Sequence, residues 1–165
     1  MPWEAAPLGA PNEAFMRRAL ALAREAAAAG ETPVGAVVVR GSAIVGEGKN
    51  RREAGKNALL HAEMEAIAAA CKALGGWRLW ECDLYVTLEP CPMCAGAIIN
   101  ARIRRVFFGA PDPKAGCCGA VTDLFSLPFN HQPQAYGGML EAESAALLRA
   151  FFSALRRQKT SERLS

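Results

Sequence analysis

The sequence predicts a layered α/β domain in which helices cover a mostly buried sheet. Segments with a helical spacing of apolar residues alternate along the chain with short β-branched runs, an order typical of packed helix and sheet layers. No internal repeat or low-complexity linker interrupts this alternation. The length of 165 residues suits a single domain over residues 1–165, with a core at about 12–158.

The first half of the chain predicts a helix followed by a hairpin and a loop. Apolar residues with helical spacing follow Asn12, and Gly30 ends this pattern. Two β-branched runs at 34–39 and 43–46 are separated by a Gly-Ser turn, which is typical of a hairpin. Residues 50–60 have the polar, Gly- and Asn-containing composition of a loop.

The second half continues the alternation. It predicts, in order, a helix at about 62–74, a strand at 84–88, a helix beginning at Pro90-Cys91, a strand at about 105–108 and a helix at about 140–157. The long stretch before the last helix is rich in Pro, Gly and Cys, and no strand is predicted within it.

Composition indicates an intracellular globular protein. Apolar residues make up 52% and charged residues 21% of the chain, and no apolar run reaches the roughly 18 residues that a membrane helix needs. The beginning of the chain carries Glu4 and alanines where a secretory signal would have basic and then apolar residues, so we expect no export. Six cysteines in such a chain indicate a reducing compartment. We therefore expect a cytoplasmic protein with no membrane partner.

Basic residues are concentrated near the end of the chain. The net charge is only +3, which is too small to indicate a nucleic-acid partner by itself. The distribution is more informative, because five cations accompany a single acid, Glu162, after position 148: Arg149, Arg156, Arg157, Lys159 and Arg163. Such a cluster could contact phosphates, and it could equally be the solvated end of a helix whose dipole favours cations.

Two short motifs supply metal ligands and one spare carboxylate. His61 is followed two residues later by Glu63, and thirty residues further on Cys91 and Cys94 stand in a Pro-Cys-x-x-Cys motif. Imidazole and thiolate are zinc ligands, and a site with three protein ligands leaves the fourth position free for water. A nearby carboxylate can move protons during the attack of that water. The motifs therefore favour a hydrolytic zinc site with Glu63 as the proton shuttle.

Two other interpretations of these cysteines are open. Cys117 or Cys118 could complete a closed, structural zinc site with the three ligands. Alternatively, Cys91 and Cys94 could form a redox pair of the thioredoxin type, which leaves His61 without a role. We expect Cys71 and Cys82, which stand among apolar residues, to be small core residues. Trp3, Trp77 and Trp80 are expected to serve packing.

The combination of His-x-Glu and Pro-Cys-x-x-Cys resembles the signature of the zinc-dependent nucleobase deaminases. Runs at 33–39, 46–51, 84–97 and 102–110 resemble the bacterial tRNA adenosine deaminases in particular, and the resemblance covers nearly the whole chain. It implies a cytidine-deaminase-like three-layer α/β/α sandwich with a central mixed sheet of about five strands. It also implies a homodimer with one Zn²⁺ per subunit.

The resemblance implies hydrolytic deamination of adenosine to inosine at the wobble position of a tRNA anticodon, with the anticodon stem-loop as the partner. Glu63 is then the catalytic residue, and His61, Cys91 and Cys94 are the metal ligands. The positions that match substrate-binding residues of the family are Asn50, Ala62, Asp112, Lys114, Asn130, Phe151 and Arg156. For Phe151, core packing beside Phe152 is an equal alternative.

Two further functions compete with this one. A deaminase of the same superfamily could act on free guanine, cytosine or a nucleoside, and a zinc-stabilised RNA-binding module would have no catalysis at all. The sequence departs from the tRNA adenosine deaminase pattern at residues 58–60, which are more apolar than usual, and at Cys117-Cys118. These departures concern the choice of substrate more than the type of reaction.

Overall fold

The computed structural model describes residues 9–165, so Trp3 and Glu4 lie outside the described part of the chain. Within this range the α-helices are α1 (Glu13–Ala28), α2 (Ala62–Leu74), α3 (Pro92–Asn100) and α4 (Glu141–Leu164). The strands are β1 (Gly35–Arg40), β2 (Ala43–Lys49), β3 (Cys82–Leu88), β4 (Arg105–Ala110) and β5 (Gln134–Gly137), and a short 3-10 helix spans Leu124–Ser126. None of the described helices combines the length and the apolar composition that crossing a bilayer requires.

The five strands form one mixed sheet with the order β2-β1-β3-β4-β5. Strand β1 runs antiparallel to both of its neighbours, whereas β3, β4 and β5 are parallel. Helices α2 and α3 pack against one face of the sheet, and α1 and the beginning of α4 pack against the other. The three-layer α/β/α sandwich expected from the sequence is therefore confirmed.

Strand β1 shows why its sequence is a continuous β-branched run. Ala36 and Val38 belong to the core beneath α2 and α3, whereas Val37 and Val39 belong to the core beneath α1. Because both faces of a central strand are covered by helices, the side chains at 36–39 are all apolar and the alternation of apolar and polar residues disappears, whereas Arg40 at the end of the strand is exposed.

Strand β5 is the one strand whose position was not predicted. Residues 134–137 pair with β4 in parallel register, with Val106 opposite Ala135. The strand has four residues, lies at the edge of the sheet and is only partly buried, so it has no β-branched run that would indicate it. Four further elements are longer than predicted: β2 continues to Lys49, β3 begins at Cys82, β4 continues to Ala110 and α4 to Leu164.

Helix α2 lies unusually close to strand β2. A Cβ atom built on Gly48 would fall 2.7 Å from the backbone nitrogen of Ala66 and closer still to the carbonyl oxygen of Ala62. One turn along, a Cβ on Gly46 would fall 2.7 Å from the nitrogen of Ala70. The absence of side chains at these glycines lets the helix backbone rest directly on the strand, and this contact fixes the beginning of α2 relative to the sheet.

The tryptophans that the structure describes are not interior residues. Trp77 and Trp80 have exposed fractions of 51% and 52%. The guanidinium of Arg78 lies 4.1 Å from the centre of the Trp77 ring, and Trp80 meets the ring of His131 edge-on at 6.1 Å. Trp77 and Trp80 therefore pack at the surface and not in the core, because a planar apolar ring can be partly covered there by the side chains of Arg78 and His131. By contrast, Cys82 is buried in the core and Cys71 packs against it, as predicted.

Candidate metal and catalytic site

The residues of the two sequence motifs meet where helices α2 and α3 begin. His61 occupies the position before the first residue of α2, and Cys91 occupies the same position before α3. The Nδ1 atom of His61 lies 3.6 Å from the Cys91 sulfur and 3.5 Å from the Cys94 sulfur. All three ligand atoms lie within 4.8 Å of one another. The chain therefore brings the three predicted ligands together although thirty residues separate them.

The spacing of these atoms fits a zinc ion. With zinc–sulfur distances of about 2.3 Å and a zinc–nitrogen distance of about 2.0–2.1 Å, a tetrahedral ion holds its sulfur and nitrogen ligands about 3.6 Å apart. The two nitrogen–sulfur distances of 3.5 and 3.6 Å agree with that value. Two sulfurs and one imidazole are also the donors that zinc prefers. Both the donor set and the geometry therefore fit zinc.

Cys91 is the most easily ionised of the three ligands. Hydrogen bonding from Cys94 lowers the pKa of the Cys91 thiol to about 4, so this sulfur is a thiolate at neutral pH. The same interaction, together with burial, raises the pKa of Cys94. The hydrogen bond with Cys91 also raises the pKa of His61. Because α3 begins at these cysteines, its dipole adds to the stabilisation of negative sulfur.

Cys117 and Cys118 do not belong to this cluster. Among residues 9–165, the ligand group consists of His61, Cys91 and Cys94 alone. Cys117 is buried in the apolar core, where its thiol donates to the carbonyl oxygen of Ala115 at 3.5 Å, and Cys118 packs against that core. The arrangement therefore supports the open, three-ligand site and not the closed structural alternative.

Glu63 lies in the first turn of α2, beside the ligands. Its side chain is almost entirely buried, and it lines the same cavity as His61 and Cys91. Burial raises the pKa of Glu63 above its usual value. A carboxyl group with a raised pKa holds a proton more readily than an ordinary carboxylate, which favours a role as a general acid and base.

A cavity of about 490 Å³ opens above the ligand cluster. Four of the residues predicted to bind substrate line it together with Glu63, namely Asn50, Ala62, Asp112 and Lys114. Asn50 is buried, its Nδ2 donates to the Thr32 carbonyl oxygen at 3.3 Å, and its Oδ1 accepts from the backbone N–H of Arg52 at 3.1 Å. The amide of Asn50 is thus held between the segment before β1 and the loop that follows β2.

The remaining three predicted substrate residues lie outside this cavity. Asn130 is exposed in the loop before β5. Phe151 contacts Phe152 edge-on at 5.4 Å, and it is Phe152, with Leu148, that lines the cavity from α4. Arg156 is exposed in a separate surface depression, further along α4. These three residues are therefore positioned to contact only a ligand that extends beyond the cavity.

Two buried glutamates near the cavity were missed by the sequence analysis. Glu31 has an exposed fraction of 2%, and its carboxylate accepts the backbone N–H groups of Glu53 and Ala54 at 2.9 and 2.8 Å. Glu89 is similarly buried and accepts three backbone N–H groups from the loop after β4. The sequence offers one signal for Glu89, an acidic residue that directly follows an apolar strand, although this position does not identify its partners.

The site and the fold together define a class of protein. The family described as the cytidine and deoxycytidylate deaminase zinc-binding region matches residues 10–110, a range that includes the three ligands and Glu63. The chain therefore belongs to this family of zinc-binding deaminases. The family expected from the motifs and zinc as its cofactor are confirmed.

Individual proteins of known name or structure are similar to this chain over most of its length. The chain is 47% identical over 153 residues to the tRNA-specific adenosine deaminase of Bacillus subtilis (strain 168), an alignment that covers 92% of this chain and 95% of the relative. A chain solved in a study of A-to-I editing by tRNA:A34 deaminases at the wobble position of transfer RNA has a TM-score of 0.81 and 46% identity, over 83% of this chain and all of that one. A guanine deaminase from Nitrosomonas europaea is more distant, with a TM-score of 0.72 and 27% identity over 87% of this chain and 85% of that chain.

Proposed function

We propose that this protein is a zinc-dependent tRNA adenosine deaminase that converts the wobble adenosine of an anticodon to inosine. The observation that carries the proposal is the cluster of three ligands with a buried carboxylate, Glu63, at the bottom of a cavity. Three ligands leave room for a reacting water, which a structural zinc site does not. The similarity to tRNA-specific adenosine deaminases over most of the chain supports RNA as the substrate.

Glu63 carries the proton transfers of the reaction. When bound, zinc supplies Lewis acidity that makes water nucleophilic near neutral pH. The Glu63 carboxylate accepts a proton from the attacking water and passes it to N1 of the adenine ring, and a second proton then reaches the leaving amino group. Water adds to C6, the C6–N bond breaks, and the products are inosine and ammonia. The raised pKa of Glu63 suits a group that must alternate between its two protonation states.

The walls of the cavity suit a nucleotide within a longer RNA. We infer that Asn50 and the backbone N–H of Ala62 contact the target nucleoside, and that Asp112 and Lys114 face its neighbours in the strand. Along α4, the exposed Arg156 and the aromatic pair at 151–152 lie where an extended ligand would leave the cavity. Aromatic and arginine side chains are suited to the splayed bases of an RNA loop.

An alternative proposal is deamination of a free base. It is favoured by one observation, the likeness of this fold to a guanine deaminase. The exposed cations of α4, which a free base could not reach, count against it. Incubating the zinc-loaded protein with total tRNA, and separately with adenosine, guanine and cytosine, tests both proposals. We expect mass spectrometry to find inosine in tRNA only, whereas xanthine from guanine would favour the alternative.

The role of Glu63 can be tested separately from the substrate. Because Glu63 is not a ligand, the variant Glu63→Ala should keep one zinc per chain and lose deamination. Metal content by atomic spectroscopy and inosine formation are the two measurements. Loss of zinc from this variant would show that the roles of Glu63 and the ligands have been assigned incorrectly.

We also propose that residues 1–165 form one deaminase domain that acts as a homodimer in the cytoplasm. Similarity to the family over most of the chain supports the single domain, and the sequence resemblance supports the dimer. The six free cysteines suit a reducing compartment. Analytical ultracentrifugation tests the dimer, for which we expect twice the mass of 17.6 kDa.

A further inference from the structure

Glu89 directly follows β3, precedes the metal ligand Cys91 by two residues and lines the same cavity as Cys91. Its Oε1 accepts the backbone N–H of Asp112 at 3.1 Å. Its Oε2 accepts those of Cys118 at 2.9 Å and Ala120 at 3.1 Å. The exposed fraction of Glu89 is 3%, and among residues 9–165 no Lys or Arg forms an ion pair with it. Backbone amides alone therefore stabilise this buried carboxylate.

The loop is shaped to receive the carboxylate. A Cβ atom built on Gly116 would overlap the carboxylate of Glu89 and would lie 2.6 Å from the carbonyl oxygen of Asp112. Glycine at position 116 therefore leaves the space that Glu89 occupies. Two backbone hydrogen bonds of 2.9 Å, from Glu89 to the Ala110 carbonyl and from Cys117 to the Pro90 carbonyl, close the loop on both sides.

The same loop forms one wall of the cavity. Asp112, Lys114 and Ala115 line it, and Asp112 is the residue whose backbone Glu89 holds. The Asp112 side chain in turn accepts the backbone N–H groups of Lys114 at 3.0 Å and Ala115 at 3.2 Å. Glu89 lines this cavity as well, and its contact with Asp112 connects it to the backbone of Lys114 and Ala115.

We propose that Glu89 is a positioning residue for substrate discrimination: by holding the 112–120 loop, it determines how strongly the enzyme distinguishes RNAs that differ only beside the target adenosine. The inference rests on the proposed function, because Asp112 and Lys114 can face neighbouring nucleotides only if the substrate is a polynucleotide. Glu89 does not act on the reacting atoms, so the chemistry at the target base is unchanged when the loop moves.

Two variants disturb the same contact by different routes. Glu89→Gln replaces one accepting oxygen by an amide nitrogen that faces backbone N–H groups, and so removes at least one hydrogen bond. Gly116→Ala leaves Glu89 unchanged but occupies the space of its carboxylate. The matched controls are Glu143→Gln, an exposed glutamate in α4, and Gly76→Ala, where a Cβ meets nothing within 4 Å.

The experiment uses two anticodon stem-loops that differ only in the bases flanking the target adenosine. For each zinc-loaded protein, kcat/KM is measured with both stem-loop RNAs. The ratio of the two kcat/KM values is the measure of discrimination. We expect both loop variants to lower this ratio about tenfold, the factor that corresponds to one lost hydrogen bond to a charged group. Zinc content should remain at one per chain, and both controls should keep the wild-type ratio.

The ratio separates positioning from a loss of stability. A variant that merely unfolds in part has a smaller active fraction, which lowers kcat/KM equally for both RNAs and leaves their ratio unchanged. An unchanged ratio in both loop variants would overturn the inference, and so would a wild-type enzyme that does not discriminate between the two RNAs. If the wild-type enzyme deaminated neither RNA, the proposed function itself would be refuted.

Discussion

The close contact between α2 and β2 makes Gly48→Ala an informative perturbation. Gly48 lies beneath the first turn of α2, where a methyl group would meet the carbonyl oxygen of Ala62 and the backbone nitrogen of Ala66, the latter at 2.7 Å. Real Cβ atoms essentially never approach another heavy atom within 3.0 Å. Both obstacles are helix backbone, so no side chain can rotate to relieve the overlap and the helix itself must move.

The size of that movement sets the expected effects. Restoring ordinary contact requires α2 to retreat by roughly 1 Å at Ala62, since overpacked interiors relieve strain by backbone shifts. Ala62 stands between His61 and Glu63, so the retreat displaces both a residue of the ligand cluster and the proposed proton shuttle. A displacement of about 1 Å can lower activity about 100-fold. The overpacking should also cost about 1–3 kcal/mol of unfolding free energy.

The assay compares kcat/KM per bound zinc with the free energy of unfolding in urea. Gly46→Ala is a matched variant, because its methyl group meets the same helix one turn further from His61, at Ala66 and Ala70. We expect similar destabilisation by both variants and a much larger loss of activity in Gly48→Ala. If Gly48→Ala lost stability but kept activity within about twofold of wild type, the edge strand would have moved instead of the helix and the reasoning would be refuted.

Three further predictions concern groups away from the reaction. Asp83 accepts two hydrogen bonds from the buried Arg105, so Asp83→Asn should lower the unfolding free energy in urea by about 3 kcal/mol, and a loss under about 1 kcal/mol would contradict this. Within the described residues the buried Ser144 hydroxyl has no hydrogen-bond partner. Ser144→Ala should therefore leave the unfolding free energy in urea unchanged or raise it by up to about 1 kcal/mol, and a clear decrease would contradict the absence of a partner. Glu31→Gln should cost about 1.5–3 kcal/mol and speed proteolysis between residues 51 and 60, and an unchanged cleavage rate would show that Glu31 does not hold that loop.

The regular elements could be predicted because their signals are local. The helix starts at Asn12 and Pro90-Cys91 and the β-branched run of β1 depend on residues adjacent in sequence, and the structure confirms each of them. Strand β5 could not be located in this way. Its partner β4 supplies the hydrogen bonds that define it, and that partner is remote in sequence. The surroundings of Trp77 and Trp80 likewise include residues remote in sequence, because Arg102 lies beside Trp77 and His131 beside Trp80.

The residues of the site also include some that the sequence predicts and some that it does not. The ligand set could be predicted because zinc imposes a residue type and a spacing on the sequence, and the ligand atoms of His61, Cys91 and Cys94 do meet. Glu31 and Glu89 carry no such constraint, because a carboxylate that binds backbone N–H groups requires no particular residue at its partners. Neither Asp112 nor Ala120 indicates in its own sequence that its amide is held by Glu89. Only the three-dimensional structure shows these contacts.

In the proposed function, the residues that carry out the reaction and the residues that select the substrate lie in different parts of the molecule. The ligands and Glu63 stand at helix starts, and the beginning of α2 is fixed by the backbone contact with Gly48. Two loops and part of α4 form the walls of the cavity, and each of the two loops, which follow β2 and β4, is held by one buried glutamate. A loop can change its length and shape while the buried glutamate that holds it and the ligand cluster stay in place. We therefore expect variants in the 112–120 loop to alter the preferred RNA before they alter the reaction.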